Sequence, residues 1–367
     1  MKPLLGVISL DHELDQLNEL TYFRCGASVP FAGRYRLIDF ILSNMMYAEI
    51  VSVGLFIRRK YRSLLDHLGD GKPWDLDRKR GGLFILPPDW NDPTDTSRGE
   101  LQHFHNNLHF FRRSPGKYIV YSGSRHINMV DIREVYQQHC ESEADVTVVY
   151  KQVEQLEPEH EGCIRLNVDS SNKVTGIHQE KDNHNIYMEM FVIEKELFLD
   201  MVDLCIAHGG SHFFRDVIQK GRGNLKVAAY EYKGYHAVIN SVQSYYKNSM
   251  DLLKREHYLR LFGKQAVQTK IKYEAPTKYL ADAKISNSLV ANGCVIDGWV
   301  ENSIIFRGVR IEKGARIINS IVMQKSIIEM NANIENVIMD KDVIVSQNRT
   351  LMGAPQQPFV IAKSSIL

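Results

Sequence analysis

Cysteine is scarce in this 367-residue chain, and the cysteines that occur form no framework. They are widely spaced, odd in number and without any CxxC pair: Cys25, Cys140, Cys163, Cys205 and Cys294. A disulfide scaffold or a structural zinc site is therefore not expected, and a reducing, cytoplasmic environment is predicted. The fourteen histidines contain no HxxH or HExxH spacing, so the sequence predicts no metal site.

The chain also lacks an excess of charge and a long apolar run. Its formal net charge is +1, which provides no global attraction to nucleic acid or to an anionic membrane. Residues 1–15 hold a short apolar run followed by acids, without the length of a signal sequence. No segment approaches the length of a membrane span. We therefore expect neither nucleic acid nor a membrane as a partner.

Strand and helix signals alternate over the first two thirds of the chain. The predicted strands are 4–10, 50–57, 118–121 and 145–153, the predicted helices are 37–48, 132–140 and 241–262, and 163–168 with 174–179 form a predicted hairpin. Such alternation predicts a mostly parallel α/β sheet. We place this domain at 1–262, and the polar, mixed segment 263–280 reads as a linker.

The tail, 281–367, is repetitive. Asn287-Ser288, Asn302-Ser303, Asn319-Ser320 and Asn336-Val337 each open a stretch of Ile and Val, at spacings of 15, 17 and 17 residues. Within each stretch an aliphatic residue recurs every six positions, as at Leu289 and Val295 or at Ile305, Ile311 and Ile317. Period six fits neither a helix nor one exposed strand. It predicts coils of three short strands whose aliphatic side chains point into a stacked core.

Residues 29–44 read VPFAGRYRLIDFILSN. This stretch resembles VPFGGKYRIIDFALSN of bacterial glucose-1-phosphate adenylyltransferase, a sugar-nucleotide pyrophosphorylase, and weaker agreement covers nearly the whole chain. The resemblance implies a Rossmann-like nucleotidyltransferase α/β domain followed by a left-handed parallel β-helix. It also implies a reaction in which ATP and glucose 1-phosphate give ADP-glucose and pyrophosphate. Family members use a Gly-rich loop, basic residues and two Asp that hold Mg²⁺.

The phosphate-binding parts of that family are missing here. The family's Gly-rich loop after the first strand corresponds to a stretch without glycine between Gly6 and Gly26. Asp11, Glu13 and Asp15 in that stretch would repel a triphosphate. The family's phosphate-binding lysine falls on Gly26, which carries no charge.

The metal-binding positions are missing as well. The resemblance places the two magnesium Asp on Ser124 and Val238, and neither a hydroxyl nor an aliphatic side chain is a good Mg²⁺ ligand. Arg125 adds a cation beside the first position, and the glutamine that reads adenine falls on Arg58. We therefore predict no catalytic residue, no metal and no cofactor.

Two sets of residues remain as binding candidates. Glu180-Lys181 matches the family's EKP, whose Lys resembles a contact to the sugar phosphate; the alternative is an exposed pair at a strand end. The other set is a basic cluster with the charge to bind an anionic effector. It consists of Arg58, Arg59, Lys60 and Arg62. The alternative for this cluster is a solvated surface; Arg78-Lys79-Arg80 and Arg112-Arg113 are rivals for the effector role.

The resemblance implies a regulatory, catalytically impaired subunit of glucose-1-phosphate adenylyltransferase in glycogen biosynthesis. It would modulate a catalytic homologue allosterically, in a homo- or heterotetramer, with a sugar phosphate as effector. One alternative is an active enzyme that binds Mg²⁺ at an atypical site through Asp39, Glu100 or Asp131, although Asp39 is expected to fix a helix start. Another is a sugar-phosphate sensor.

Overall fold

A computed structural model describes residues 4–11, 13, 16–89, 91–92, 98–178, 182–221, 224–263 and 265–367. They form two compact units that interleave along the chain. The first unit comprises Met1–Glu13, Phe40–Tyr61 and Leu68–His236, and the second comprises Leu14–Asp39, Arg62–His67 and Ala237–Leu367. Two segments from the front of the chain therefore belong to the same unit as the repeats.

The elements before the repeats are short and alternate as expected. The strands are β1 (Leu4–Ser9), β2 (Pro30–Phe31), β3 (Tyr35–Arg36), β4 (Ser52–Phe56), β5 (Gly82–Leu86), β6 (Tyr118–Ser122), β7 (His126–Ile127), β8 (Val146–Gln152), β9 (Arg165–Val168), β10 (Val174–His178), β11 (Asn185–Glu194), β12 (Val227–Glu231) and β13 (Ala237–Val238). The helices are α1 (Leu37–Tyr47), α2 (Arg62–Leu68), α3 (Glu100–Asn106), α4 (Leu108–Arg113), α5 (Ile132–Glu141), α6 (Lys195–Ala207), α7 (Val242–Asp251) and α8 (Arg255–Phe262). Among the described helices, none combines the length and apolar character needed to cross a membrane.

The first unit is built on a nine-stranded sheet, in which seven strands follow the order β10-β9-β11-β6-β1-β4-β5. The other two strands branch from β11, because β8 pairs with β11 and β12 pairs with β8. β1 pairs in parallel with β4 and β6, but β11 runs antiparallel to β6 and β8, and β9 and β10 form the predicted hairpin. The sheet is therefore mixed. The prediction of a mostly parallel sheet was wrong for the part that contains β9, β10 and β11. The apolar pattern of β11 shows that it is buried, but burial does not report strand direction.

The predicted helix over 241–262 is two helices. α7 ends at Asp251, and α8 begins at Arg255 after Lys254 has taken an extended conformation. Leu252 is buried between them, and the Lys254 ammonium donates to the Asp251 carboxylate at 2.7 Å. The break contains neither Gly nor Pro, the residues that usually mark the end of a helix. Because the aliphatic spacing continues across it, the sequence predicted one helix.

The tail is a parallel β-helix, as predicted. Each coil contributes one strand to each of three parallel sheets, and each sheet has five strands. Their strands are β14 (Lys278–Tyr279), β15 (Lys284–Ser286), β16 (Leu289–Val290), β17 (Val295–Ile296), β18 (Trp299–Glu301), β19 (Ile304–Ile305), β20 (Arg310–Ile311), β21 (Arg316–Ile318), β22 (Ile321–Val322), β23 (Ile327–Ile328), β24 (Asn333–Glu335), β25 (Val337–Met339), β26 (Ile344–Val345), β27 (Thr350–Met352) and β28 (Phe359–Ile361). Val300, Ile317 and Ile334 lie in register and are fully buried.

One predicted core position in the tail is displaced. Val295 is exposed, whereas Ile296 is fully buried and pairs with Ile311. The inward-facing residue at the start of this coil is Val290, which packs against the β-helix core and pairs with Ile305, so a count of six from Leu289 ends one position short of Ile296.

The Asn-Ser repeat marks one corner of the coil. Asn287, Asn302, Asn319 and Asn336 all have φ between 41° and 53°, a left-handed conformation that Asn tolerates better than most residues. The following serines connect successive coils: the backbone N–H of Ser320 donates to Ser303 Oγ at 3.0 Å, and that of Val337 donates to Ser320 Oγ at 3.1 Å. The repeated dipeptide therefore has a structural role: Asn adopts the left-handed turn, and Ser links one coil to the next.

Candidate functional site

A cleft in the first unit opens beside the ends of β1 and β6, and we call it the sheet-end cleft. It is lined in part by Ser9, Glu100, Tyr121, Tyr187 and Phe214. Glu100 is buried at its centre: Oε2 accepts hydrogen bonds from Ser9 Oγ at 3.1 Å and Tyr121 Oη at 2.9 Å, and Oε1 accepts from the backbone N–H of Phe213 at 2.7 Å. Burial, with the nearby Glu100 charge, raises the pKa of Tyr121 well above its ordinary value. This carboxylate is a structural acceptor.

Asp11, one of the acids that replace the Gly-rich loop, is bound within the first unit. Asp11 accepts from Arg58 Nη2 at 2.9 Å and lies 3.2 Å from His103 Nδ1. Burial raises the pKa of Asp11, but the hydrogen bonds from His103 and Arg58 outweigh it and leave the pKa below its usual value. Asp15 lies outside the described residues. The segment holds a buried carboxylate where a phosphate cradle would require amides and positive charge.

The first expected metal position is occupied by a different network. Ser124 Oγ donates to Glu13 Oε1 at 2.6 Å. The adjacent Arg125 forms an ion pair with Glu189, and the attraction of that carboxylate raises the Arg125 pKa above its ordinary value. Glu189 adopts φ +52° within an irregular stretch of β11, a strained conformation held by its surroundings. A hydroxyl beside a guanidinium does not fit Mg²⁺.

The second expected metal position also carries no ligand. Val238 is buried in β13 and presents only carbon atoms. Within the part of the chain that the structure describes, no group of three or more His, Cys, Asp and Glu side chains could hold a metal ion. The residues present therefore do not fit the magnesium that the fold family implies.

The three carboxylates of the atypical-enzyme alternative have separate structural partners. Asp39 accepts from the backbone N–H of Arg36 at 3.0 Å, just before α1, and contacts His67 Nε2 at 2.6 Å. The expected helix-start role of Asp39 is thereby confirmed. Asp131 is the N-cap of α5, where hydrogen bonds from Arg133 lower its pKa. Glu100 is bound in the sheet-end cleft as described above.

The binding candidates from the sequence are placed as follows. Glu180 and Lys181 lie outside the described residues. Arg58 is engaged by Asp11, Arg59 and Arg62 are exposed, and Lys60 has φ +55°. These placements leave the anion-binding role of the cluster a prediction.

Sequence reasoning missed a second collection of cations, which lies wholly within the second unit. We call it the cationic pocket. Its lining holds seven Lys and Arg with His67 and a single acid, Asp342, among the described residues. The seven are Arg34, Arg36, Lys270, Lys272, Arg307, Lys325 and Lys341. They come from five separate places in the chain, so the only local signals were Arg34 with Arg36 and Lys270 with Lys272.

Burial, followed by neighbouring positive charge, lowers the pKa of several cations in the pocket. Burial first, and then Arg36 and Arg24, lower the pKa of Lys341 to about 7. Burial likewise lowers the pKa of Arg36 to about 10, and burial and neighbouring Arg34 lower that of Arg307. Arg36 Nη1 is held by Ser63, donating to its carbonyl at 2.6 Å and its Oγ at 3.0 Å. Crowded cations of this kind are stabilised by an anion.

The relatives of the chain agree with this architecture. A nucleotidyl transferase family model matches residues 15–255, and a model of the GlmU-like C-terminal hexapeptide region matches 275–357. A glucose-1-phosphate adenylyltransferase of Clostridium perfringens strain SM101 is 31% identical over 326 residues, 86% of this chain and 82% of the relative. The chain belongs to the glucose-1-phosphate adenylyltransferase family of nucleotidyltransferases.

Within this family the chain is also similar to proteins that carry a different name. A glycogen biosynthesis protein GlgD of Geobacillus stearothermophilus is 40% identical over 365 residues, 99% of this chain and 97% of the relative. The glycogen biosynthesis protein GlgD of Bacillus subtilis strain 168 is 37% identical over 317 residues, 86% of this chain and 82% of the relative.

Proposed function

We propose that this chain is a regulatory, catalytically impaired subunit of glucose-1-phosphate adenylyltransferase that acts in glycogen biosynthesis by modulating a catalytic homologue. The role in glycogen biosynthesis is supported by the names of its GlgD relatives. The loss of catalysis is supported by one observation above all. Ser124 stands at the first metal position and is hydrogen-bonded to Glu13, while the neighbouring Arg125 is paired with Glu189.

The physical argument concerns charge. Adenylyl transfer brings together phosphate groups that repel each other, and the family uses a divalent cation to offset that repulsion. The sheet-end cleft is lined by Glu13, Glu100 and Glu189, together with Arg215 and with Arg125, which is already paired with Glu189. Repulsion between close unit charges costs on the order of 1 kcal/mol in water and several in a partly dry cleft. The chain alone is therefore expected to turn over ATP and glucose 1-phosphate very slowly or not at all.

The cationic pocket is the proposed effector site. Its crowded Lys and Arg favour a multiply charged, hydrogen-bond-accepting anion such as the phosphate of a sugar phosphate. Such an anion would bind and rigidify a pocket built from Arg34, His67, Lys272 and Arg307 within one compact unit. Regulation then requires that the anion bind one conformation of the assembly better than the other.

Assembly is proposed to be tetrameric, with copies of this chain and of the catalytic homologue. The coils of the tail expose large apolar side chains, which on a β-helix face suit a protein partner. They include Tyr279, Trp299, Met352 and Phe359.

The test has two parts. The isolated chain, a catalytic homologue and their mixture are assayed with ATP, glucose 1-phosphate and Mg²⁺, with and without added sugar phosphates. We expect negligible turnover by the isolated chain and an altered response to sugar phosphate in the mixture. Turnover within about tenfold of the catalytic homologue, a difference of about 1.4 kcal/mol in barrier, would overturn the proposal and favour the atypical-enzyme alternative.

The second part removes charge from the cationic pocket. The double variant Lys272→Gln/Arg307→Gln should weaken sugar-phosphate binding to the isolated chain and reduce its effect in the mixture. Lys313→Gln is the matched control, since Lys313 is exposed on the coils, pairs with Asp282 and does not line the pocket. Binding without any effect on the mixture would favour the sugar-phosphate sensor alternative.

A further inference from the structure

Two basic side chains of the cationic pocket, Arg307 and Lys341, stand without a partner in the part of the chain that the structure describes. Neither the guanidinium nor the ammonium makes a hydrogen bond or an ion pair with a described residue. Arg307 is only 8% exposed, and Lys341 is half-buried just after β25. A buried cation without a counter-charge is costly, so a negative charge brought to this place would be stabilised.

Both groups can be reached from the pocket. Arg24 Nη1, in the same unit, is enclosed on every side, but no side-chain nitrogen of Arg307 or Lys341 is an enclosed, unbonded atom. Because these nitrogens have no hydrogen bond, they must keep surface that a small molecule can touch. The pocket has a volume of about 160 Å³, which is ample for the three heavy atoms of a carboxylate group.

Lys341 is the lysine of the pocket best placed for chemistry at its nitrogen. Lys272 and Lys325 are more exposed than Lys341, so water holds their ammonium ions better. Lys270 is bonded to the carbonyl oxygen of Asp66. Lys341 combines partial burial with an unbonded nitrogen, and a lysine in such a place, beside other cations, is the kind that acts as a nucleophile.

Neither carboxylate next to Lys341 in the chain binds its ammonium. Asp340 is paired with Arg24, and Asp342 is exposed and forms no ion pair among the described residues. Burial first, and then Arg36 and Arg24, lower the pKa of Lys341 to about 7. Most of this amine is therefore uncharged at pH 8, whereas in an ordinary lysine the uncharged fraction is roughly one part in 250.

We propose that Lys341 is a carbamylation site, at which the amine adds carbon dioxide and the cations of the pocket hold the resulting carbamate. The amine nitrogen forms a bond to the carbon of CO₂, one C=O bond opens to give the carboxylate, and one proton of the amine passes to water. The step needs no oxidant and no reactant other than CO₂. It replaces a base by an anion, which Arg36 and Arg307 can bind through charged hydrogen bonds.

Carbamylation uses the pocket of the proposed effector role but does not rest on that role. A carbamate and a free anion compete for the same cations, so sulfate should suppress carbamylation, and carbamylation should weaken sulfate binding. A pocket that binds sugar phosphate while Lys341 stays unmodified in CO₂ would overturn this inference alone. A carbamylated Lys341 in a chain that leaves a catalytic homologue unaffected would support this inference and count against the regulatory function.

The test equilibrates the full chain with millimolar ¹³C-labelled bicarbonate near pH 8 and observes it by ¹³C NMR. Triethyloxonium then converts any carbamate to an ethyl ester, which peptide mass spectrometry locates. We expect a carbamate resonance and an ester on Lys341. The exposed Lys284 on β15, outside the pocket, should carry at least about tenfold less ester because it is protonated. Bicarbonate that binds without a covalent bond gives no ester on Lys341, and this result would overturn the proposal.

Three variants separate carbamylation from a general effect of charge. Lys341→Arg keeps the charge but should remove the resonance and the ester. Arg307→Gln removes a partner of the carbamate and should lower its formation about tenfold without lowering the melting temperature, because no internal hydrogen bond is lost. Arg310→Gln is the matched control, since exposed Arg310 pairs with Glu312 outside the pocket, and should change nothing. Signals that persist in Lys341→Arg, or equal effects of the Arg307 and Arg310 variants, would overturn the proposal.

Discussion

Arg24 and Asp340 lie 316 residues apart in the chain and form a buried ion pair in the second unit. Arg24 Nη2 is 2.9 Å from Oδ1 and 2.8 Å from Oδ2 of Asp340, and the two side chains are only 3% and 1% exposed. The pair attaches the early segment 14–39 to the β-helix, which explains why they form one compact unit.

Removing one partner of this pair should be costly. Asp340→Asn leaves the Arg24 guanidinium buried without its counter-charge, and we expect a loss of about 3 kcal/mol or more in the free energy of unfolding. Urea denaturation measures this loss. Asp282→Asn, at an exposed position of the same unit where Asp282 forms a surface pair with Lys313, should change stability by less than about 1 kcal/mol. Equal effects of the two substitutions would contradict a specific role for the ion pair.

The corner asparagines should respond to substitution through backbone conformation. Asn319 has φ +47°, so Asn319→Ala should lower stability by about 1 kcal/mol, whereas Asn319→Gly should be nearly neutral. The hydrogen bond from Tyr246 Oη to the Asn319 carbonyl, 2.6 Å long, uses the backbone and survives both changes. Thermal unfolding of the two variants provides the comparison. Greater loss with Gly than with Ala would argue for a side-chain role instead.

Anion binding in the cationic pocket should depend on pH through Lys341. Its pKa of about 7 lies below the ordinary value of 10.5, and a bound anion would raise it. The affinity for sulfate, whose charge is constant near neutral pH, should therefore be greatest below pH 7 and fall by up to about tenfold per pH unit above it. Calorimetric titrations between pH 6 and 9 measure this dependence.

The control for that titration is Lys341→Gln, which should flatten the profile and weaken sulfate binding at pH 6. His67 is the other group of the pocket that could titrate near neutrality, but burial lowers its pKa below 6.5, so it stays mainly neutral over pH 7–9. An unchanged slope in Lys341→Gln would assign the pH dependence to another group.

Acid should destabilise the first unit through a buried histidine pair. His126 Nδ1 lies 2.9 Å from His236 Nε2, and burial lowers the pKa of His126 to about 4 and that of His236 well below its ordinary value. Between pH 6.5 and 4 the unfolded chain binds protons that the native chain excludes, so stability falls as pH falls. For His126 alone the loss approaches about 3 kcal/mol.

Denaturation as a function of pH tests this expectation. The double variant His126→Gln/His236→Gln should show a shallower loss of stability between pH 6.5 and 4, whatever its stability at neutral pH. His208→Gln, at an exposed helix end, should retain the original slope. A double variant with the original slope would place the acid sensitivity elsewhere.

Local features of the chain were predictable because their causes are local. Asp39 was expected to fix a helix start, and its carboxylate does accept from the backbone before α1. The expectation that Ser124 and Val238 replace the family's metal ligands came from residue types alone and stays a prediction. The Arg125–Glu189 pair could not be predicted, because it joins residues 64 positions apart and depends on an irregular stretch of β11. The break at Lys254 and the direction of β11 also left no distinctive pattern.

The sequence by itself determined the β-helix, since an aliphatic residue at every sixth position, with Asn at one corner of each coil, permits few other folds. It also determined the family, which the relatives confirm. Only the tertiary structure decided where charge accumulates. Arg36, Lys272, Arg307 and Lys341 come from distant parts of the chain, and the burial that lowers the pKa of each arises only when folding brings them into one pocket.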